Sequence, residues 1–220
     1  EWVEAAAKGG MTMQEVRPPE EALADPLLLA DGCVAQVQDP ELGTIRQVGV
    51  TYKLAGNPSA IGAPPAKPGE HTAEVKAEAV RLASQAAPAA KSGRSLKAPL
   101  EGITVLDLGL AIAGPFGTQV LSDLGASVIK INALYDTYWH SNHIAYLANR
   151  GKRSIALDLR NAAAREIYLD LVRRADVVVE GSRPGALARQ GLGYDVLRAA
   201  NPRIVFCSVS GYGASGPYKN

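Results

Sequence analysis

The 220-residue sequence predicts an α/β protein, and three observations carry that expectation. From Ile103 onward, short apolar β-branched runs alternate with helical stretches at the spacing of βαβ units. Glycine and proline fall where helices should start and stop. Near residue 83 the composition changes, separating this regular part from a proline-broken beginning. Together these describe a Rossmann-like parallel sheet with helices on both faces, preceded by an irregular N-terminal segment.

In chain order, that first segment is divided by Pro18, Pro19, Pro26, Pro40, Pro58, Pro64, Pro65 and Pro68. Helices are expected at Trp2 to Ala7, Pro19 to Ala24 and Thr72 to Ala83, the last with Thr72 as its cap, and strands at Gly32 to Val37 and Thr44 to Val48. So few aliphatic residues make a poor core, so the segment is expected to pack on something else. Ser84 to Lys97, rich in Ala, Pro, Lys, Ser, Gly and Arg, reads as a flexible linker. Strands follow at Ile103 to Leu108, Ser127 to Ile131, Ser154 to Leu157, Asp176 to Val179 and Arg203 to Val209. Pro115 to Leu124 has Pro in its first turn and Gly125 after its end, the asymmetry of a helix. Asn161 to Arg174 is a second helix, with Asn161 as its N-cap and Ile167, Leu171 and Val172 on one face.

Charge and cysteine content exclude several function classes. The 23 basic and 22 acidic residues leave a formal charge of +1. Residues 1–97 carry 10 basic and 12 acidic side chains and residues 98–220 carry 13 and 10, so neither half is polarised enough to hold nucleic acid. Cys33 and Cys207 lie far apart, without the clustering of a disulfide framework or a zinc site. No apolar run reaches the length of a membrane span, and no leader pattern opens the chain. A cytoplasmic protein is expected. The start at Glu1 and the finish at Tyr218, Lys219 and Asn220 suggest a piece of a longer polypeptide.

Two loops have the makings of an anion site: Leu110 to Phe116 and Glu180 to Ala186 each follow a strand and open a helix. Free backbone N–H groups and the helix dipole favour phosphate at such a place, and open α/β sheets bind ligands at the carboxyl ends of their strands. Turn geometry alone also accounts for their glycines and prolines. Asn149, Arg150, Gly151, Lys152 and Arg153 form a basic run that reads most simply as a solvated loop. His140 and His143 stand three apart, without a carboxylate at ligand spacing, and His71 sits at a helix start. The sequence has no Walker loop and no Gly-x-Ser-x-Gly elbow. The absence of Gly-x-Gly-x-x-G after the first strand disfavours an NAD-dependent dehydrogenase.

Read in order, a set of motifs resembles the beginning of a class III CoA-transferase. These are Gly102-Ile-Thr-Val-Leu-Asp-Leu, Ala113-Gly-Pro-Phe-Gly-Thr-Gln, Asp123-Leu-Gly-Ala-Ser-Val-Ile-Lys and Asn149-Arg-Gly-Lys-Arg-Ser-Ile-Ala-Leu-Asp-Leu, then Ala175-Asp-Val-Val-Val-Glu, Arg183-Pro-Gly-Ala-Leu, Gly191-Leu-Gly-Tyr, Asn201-Pro-Arg and Ser210-Gly-Tyr-Gly-Ala-Ser-Gly-Pro-Tyr. The family includes formyl-CoA transferase, carnitine CoA-transferase and α-methylacyl-CoA racemase. The first segment is similar to the family's other end, through Glu20-Glu-Ala-Leu-Ala-Asp-Pro, Pro40-Glu-Leu-Gly, Tyr52-Lys-Leu-Ala-Gly-Asn-Pro and Gly69-Glu-His-Thr-Ala-Glu-Val. The order implies two fused copies, with residues 1–83 the C-terminal segment of one, 84–97 the linker, and 98–220 the N-terminal CoA-binding part of the next. A circular permutation gives the same order.

The resemblance implies an enzyme that moves CoA between an acyl-CoA and a carboxylic acid through an aspartyl intermediate, with CoA as substrate and no further cofactor. It implies neither a nucleic-acid nor a membrane partner, and either a homodimer or an intrachain pseudo-dimer. The attacking aspartate is expected beyond Asn220, so no catalytic residue is assigned and the fragment alone is expected to be inactive; the racemase branch and a non-catalytic scaffold copy are the alternatives. For CoA binding the resemblance implies Ile112 and Ala113, with Ile112 replacing a Gln of formyl-CoA transferase. It also implies Leu157, Asp158, Leu159 and Arg160, the last in place of a Lys. Gly181, Ser182 and Arg183 replace a commoner Asn-Phe-Arg or Asn-Phe-Gly, and Arg189 keeps a basic residue apt for phosphate. Asn132 departs from the family's usual Glu, and Ala133 replaces a CoA-contacting Arg.

Overall fold

A computed structural model describes residues 1–11, 13–50, 52–56, 61, 64–83, 96–136 and 143–219, the side chains of residues 143, 144 and 146 excepted. The chain divides into two compact units, Glu1–Pro88 with Ser215–Tyr218, and Ala89–Ala214 with Lys219–Asn220.

The first unit contains helices α1 (Trp2–Lys8), α2 (Pro19–Ala24), α3 (Pro26–Ala30) and α4 (Thr72–Ala83), and strands β1 (Val34–Asp39) and β2 (Gly43–Val48). The strands form an antiparallel hairpin running from Val34 opposite Val48 to Asp39 opposite Gly43. Asp39 Oδ1 accepts the amides of Glu41 and Leu42, both at 2.9 Å, and so stabilises the turn. Strand β1 is shifted two residues from the sequence expectation, and β2 starts one residue early and ends at Val48 as expected. Helix α3, absent from that expectation, is too short to show a period; Asp25 caps it, accepting from Leu27 N at 2.8 Å, and Pro26 supplies its first residue. Helix α4 begins on Thr72 itself, which leaves His71 in the preceding position. Within this unit Asp25 also binds Arg17 Nη1 at 2.8 Å and the Tyr218 hydroxyl at 3.0 Å. Gly216 lies at φ +90°, where a Cβ would stand 2.1 Å from Asp31 Oδ1, so glycine is required there.

The second unit is built on strands β3 (Thr104–Leu108), β4 (Ser127–Asn132), β5 (Arg153–Ala156), β6 (Val177–Glu180) and β7 (Val205–Ser208). Its helices are α5 (Ala113–Asp123), α6 (His143–Asn149), α7 (Ala162–Val172), α8 (Ala186–Arg189) and α9 (Tyr194–Ala200). The five strands are all parallel, in the order β5-β4-β3-β6-β7. Central strand β3 is buried on both faces, with Val105, Leu106 and Leu108 in the apolar core and Asp107 the one charge among them. One face packs Leu106, Leu108, Ile131 and Val178 against Tyr168 and Val172 of α7 and Leu197 of α9; the other packs Val105, Val128, Ala126 and Val179.

The predicted α/β sheet is thus present, with boundaries moved by one or two residues. Helix α5 starts at Ala113, placing Pro115 inside its first turn. Asn161 caps α7, its Oδ1 accepting from Ala163 N at 2.9 Å. Ile167 does not face inward: it is 46% exposed, and the buried i, i+4 pair is Tyr168 and Val172. Burial pushes the Tyr168 phenol pKa up. No helix among the described residues is long and apolar enough to cross a membrane.

Candidate functional site

Strand order reverses at β3: the chain proceeds outward through β4 and β5, then returns to place β6 on the other side of β3. In open parallel sheets this reversal opens a crevice at the strands' carboxyl ends. The loop after β3 carries Ile112 and Ala113, and the loop after β6 carries Gly181, Ser182 and Arg183. They meet: a Cβ built on Gly181 would lie 3.6 Å from Leu110 N and 3.7 Å from Gly109 Cα, ordinary contact distance.

The first loop is held from beneath by a buried charge cluster. Asp107 on β3 faces Lys130 on β4 across the ladder, and both side chains are within 3% of full burial. Asp107 Oδ1 accepts from Gly109 N at 2.8 Å, and Oδ2 accepts from Thr118 Oγ1 and Lys152 Nζ, each at 2.7 Å. Lys130 Nζ lies 3.5 Å from Asp107 Oδ1 and donates to the Gly109 carbonyl. Lys152 Nζ also donates to Pro115 O at 2.7 Å and to Asn149 Oδ1 at 3.1 Å. The cluster therefore fixes both ends of the turn, the Gly109 amide and carbonyl and the Pro115 carbonyl. Burial pushes the Lys130 ammonium pKa down, opposed by Asp107 and Asp136; the Lys152 pKa is likewise lowered by burial and opposed by Asp107. Above the cluster, Ala111 adopts φ +57°, a left-handed conformation uncommon outside glycine. A cavity of about 10 Å³ bordered by Gly109, Lys130, Asp136 and Asn149 has room for one water and no ligand.

Burial of the Lys152 side chain corrects the expectation of a solvated basic run at that position, whereas Arg150 and Arg153 are exposed. The Lys152 side chain is 1% exposed. Arg150 pairs with Asp123 at 2.6 Å and Arg153 donates to Ser127 Oγ at 3.2 Å, so each basic residue of the run has an internal partner.

The second loop is ordered by Glu180, which is buried at the end of β6. It accepts from Ser182 N at 2.7 Å and from the Ser208 hydroxyl. Arg189 folds back over this loop, with Nη1 3.5 Å from Pro184 O, and Arg183 is exposed. Farther along the sheet edge, Leu157 buries its side chain in the core and can offer only backbone to a ligand. Asp158 forks the Arg160 guanidinium at 2.8 and 2.9 Å, which holds the Asp158 carboxyl below its ordinary range and raises Arg160. Ile112, 45% exposed, is available to a ligand.

The residues expected from the sequence to bind CoA thus lie on the loops after β5, β3 and β6 and in the helices α5 and α8 that follow the last two, spanning three strand spacings or roughly 14 Å. The first two loops are separated by the turn after β4, and the loops of β3 and β6 adjoin. His140 lies outside the described residues, as does the side chain of His143. No group of His, Cys, Asp and Glu among the described residues could hold a metal ion. Sequence reasoning missed Asp107, Lys130, Lys152 and Glu180. For Asp107, Lys130 and Glu180 the available signal was a charge inside or ending an apolar strand, as in Val-Leu-Asp-Leu and Val-Ile-Lys-Ile, whereas Lys152 precedes β5 and carries none.

The sequence profile of CoA-transferase family III matches residues 1–72 and 100–220. An acyl-CoA transferase of Fusarium pseudograminearum is 43% identical over 150 residues, covering 60% of this chain and 33% of the relative. Acetyl-CoA:oxalate CoA-transferase of Acetobacter aceti is 42% identical over 130 residues, covering 55% and 33%. The crystal structure of a CaiB/BaiF family protein from Brucella suis superposes with a TM-score of 0.52 at 39% identity, covering 56% of this chain and 36% of that one. This chain spans about a third of the length of the curated relatives it matches. A profile match across most of its residues, on the sheet order and loops just described, places the chain in CoA-transferase family III.

Proposed function

We propose that the protein containing this chain transfers coenzyme A between an acyl-CoA and a carboxylic acid, and that the chain's share of the work is to hold the carrier. The contact between two helix-leading loops at the strand reversal carries this reading. Helix α5 presents the positive end of its dipole beside Ile112 and Ala113. Arg160, Arg183 and Arg189 supply cations around the same sheet end, and Arg suits phosphate because its planar fork can bind two oxygens. Gly181, Ser182, Leu157 and Leu159 offer backbone to a ligand, and Asp158 serves by orienting Arg160.

In this reading an aspartate carboxylate attacks the donor thioester and the CoA thiolate leaves, giving an acyl anhydride. The thiolate then attacks the aspartyl carbonyl, releasing the donor acid as its carboxylate and leaving an aspartyl-CoA thioester. From this the acceptor carboxylate takes CoA by the same steps in reverse, freeing the aspartate. None of the site residues named here is the attacking carboxylate, and CoA is a substrate with no other cofactor invoked. The working assembly is a homodimer or an intrachain pseudo-dimer of fused copies.

Calorimetric titration of the chain with CoA and with NADH tests the binding assignment. CoA is expected to bind and NADH to give no heat; tight NADH binding without CoA binding would overturn the reading.

A further inference from the structure

We propose that Tyr135 is a stacking residue for the purine base of the carrier nucleotide, held in place by the Arg160 guanidinium lying over its ring. The inference rests on the CoA-binding reading and adds a contact that none of the implied site residues supplies.

Tyr135 sits in the turn after β4, between the loops that carry Ala113 and Arg160. Asp136 N donates to Ala133 O at 3.0 Å, closing the turn, and Asp136 borders the small cavity beside Lys130. This turn thus lies beside the charge cluster, and the Asp136 charge favours the Lys130 ammonium. Arg160 Cζ lies 5.7 Å from the Tyr135 ring centroid, within cation–π range. That cation is tethered independently: Asp158 forks its side chain, Asp158 Oδ1 accepts its backbone N–H at 3.1 Å, and its carbonyl accepts from Arg165 Nη1 at 3.0 Å.

Tyr135 nevertheless remains 65% exposed. A ring ordered by a tethered guanidinium but open to solvent has already lost much of the freedom that stacking would cost. A purine offers the flat π-face such a ring takes, and its phosphates add attraction to Arg160; the pantetheine arm offers neither a base nor an aromatic face.

Isothermal titration of the 220-residue chain, Tyr135→Ala and Tyr135→Phe tests this with CoA, adenosine 3′,5′-bisphosphate and 4′-phosphopantetheine. Tyr135→Ala should weaken CoA and the bisphosphate roughly tenfold each, leaving phosphopantetheine unchanged, and Tyr135→Phe should bind as the parent does. Circular dichroism checks that the exposed substitution leaves the fold intact. If the parent binds CoA and Tyr135→Ala binds CoA and the bisphosphate equally well, the stacking role is wrong and the CoA reading stands. Equal weakening of all three ligands by Tyr135→Ala also rejects stacking, because a loop defect would do the same. A parent chain that ignores both CoA and the bisphosphate overturns the CoA reading and this inference with it.

Discussion

Two lysines share one buried carboxylate at the centre of the sheet, and the arrangement only makes sense through what it holds. Lys130 and Lys152 each lose hydration, and Asp107 alone cannot neutralise both; backbone carbonyls of Gly109 and Pro115 accept the remaining protons. The loop that precedes α5 is thus fastened by the same atoms that make the cluster tolerable. Lys152→Met removes the cation 2.7 Å from Asp107 Oδ2, leaving that buried oxygen only the neutral Thr118 hydroxyl as a hydrogen-bond donor. The variant should lose about 3 kcal/mol in urea unfolding, the usual order for breaking a buried pair from one side; a loss below about 1 kcal/mol would show that the ammonium is not an essential partner. None of this cluster was read from the sequence, although Asp107 and Lys130 carry a usable signal because each interrupts an apolar strand. Lys152 carries no such signal, because it sits in a run of basic residues and its partner lies 45 positions away.

Among the elements, those with a long period were read well and those made by caps were not. Strand β3 and helix α7 follow from hydrophobic pattern, and Asn161 from its capping chemistry. The inward face of α7 was misjudged by one residue because Ile167 and Tyr168 are both apolar enough to be buried; packing favours the ring that stacks four residues from Val172. Helix α3 has five residues, and only the Asp25-Pro26 pair marks it. Asp25 deserves a pH test because Arg17, followed by the Leu27 amide and the Tyr218 hydroxyl, holds its carboxyl down to about 2 from an ordinary 3.8. A depressed carboxylate stabilises the fold above its unfolded value, and that contribution disappears as pH falls from 3.8 through about 2. Urea midpoints followed by the amide signals of α3 and the β1–β2 hairpin should therefore fall more steeply over that window in the parent than in Asp25→Asn. The two profiles should converge near pH 2, and parallel profiles would contradict the assignment.

Taken as a chain, the protein presents a five-stranded sheet with complete parallel connectivity and a first unit whose buried apolar side chains, among the described residues, are Ala6, Val34 and Val37. The sheet was legible because alternating strands and helices leave few topologies once crossovers share one hand. The poor core of the first unit was legible from its prolines and scarce aliphatics, whereas the contacts of Asp25 and Asp31 with residues near 216–218 were not, because nothing local encodes them. The central claim is that the carboxyl ends of the sheet hold coenzyme A, and amide hydrogen exchange with and without CoA tests it most directly. The account predicts slower exchange at residues 109–116, 157–160 and 181–189 when CoA is present; protection confined to residues 1–83, or unchanged exchange in these loops at saturating CoA, would contradict it.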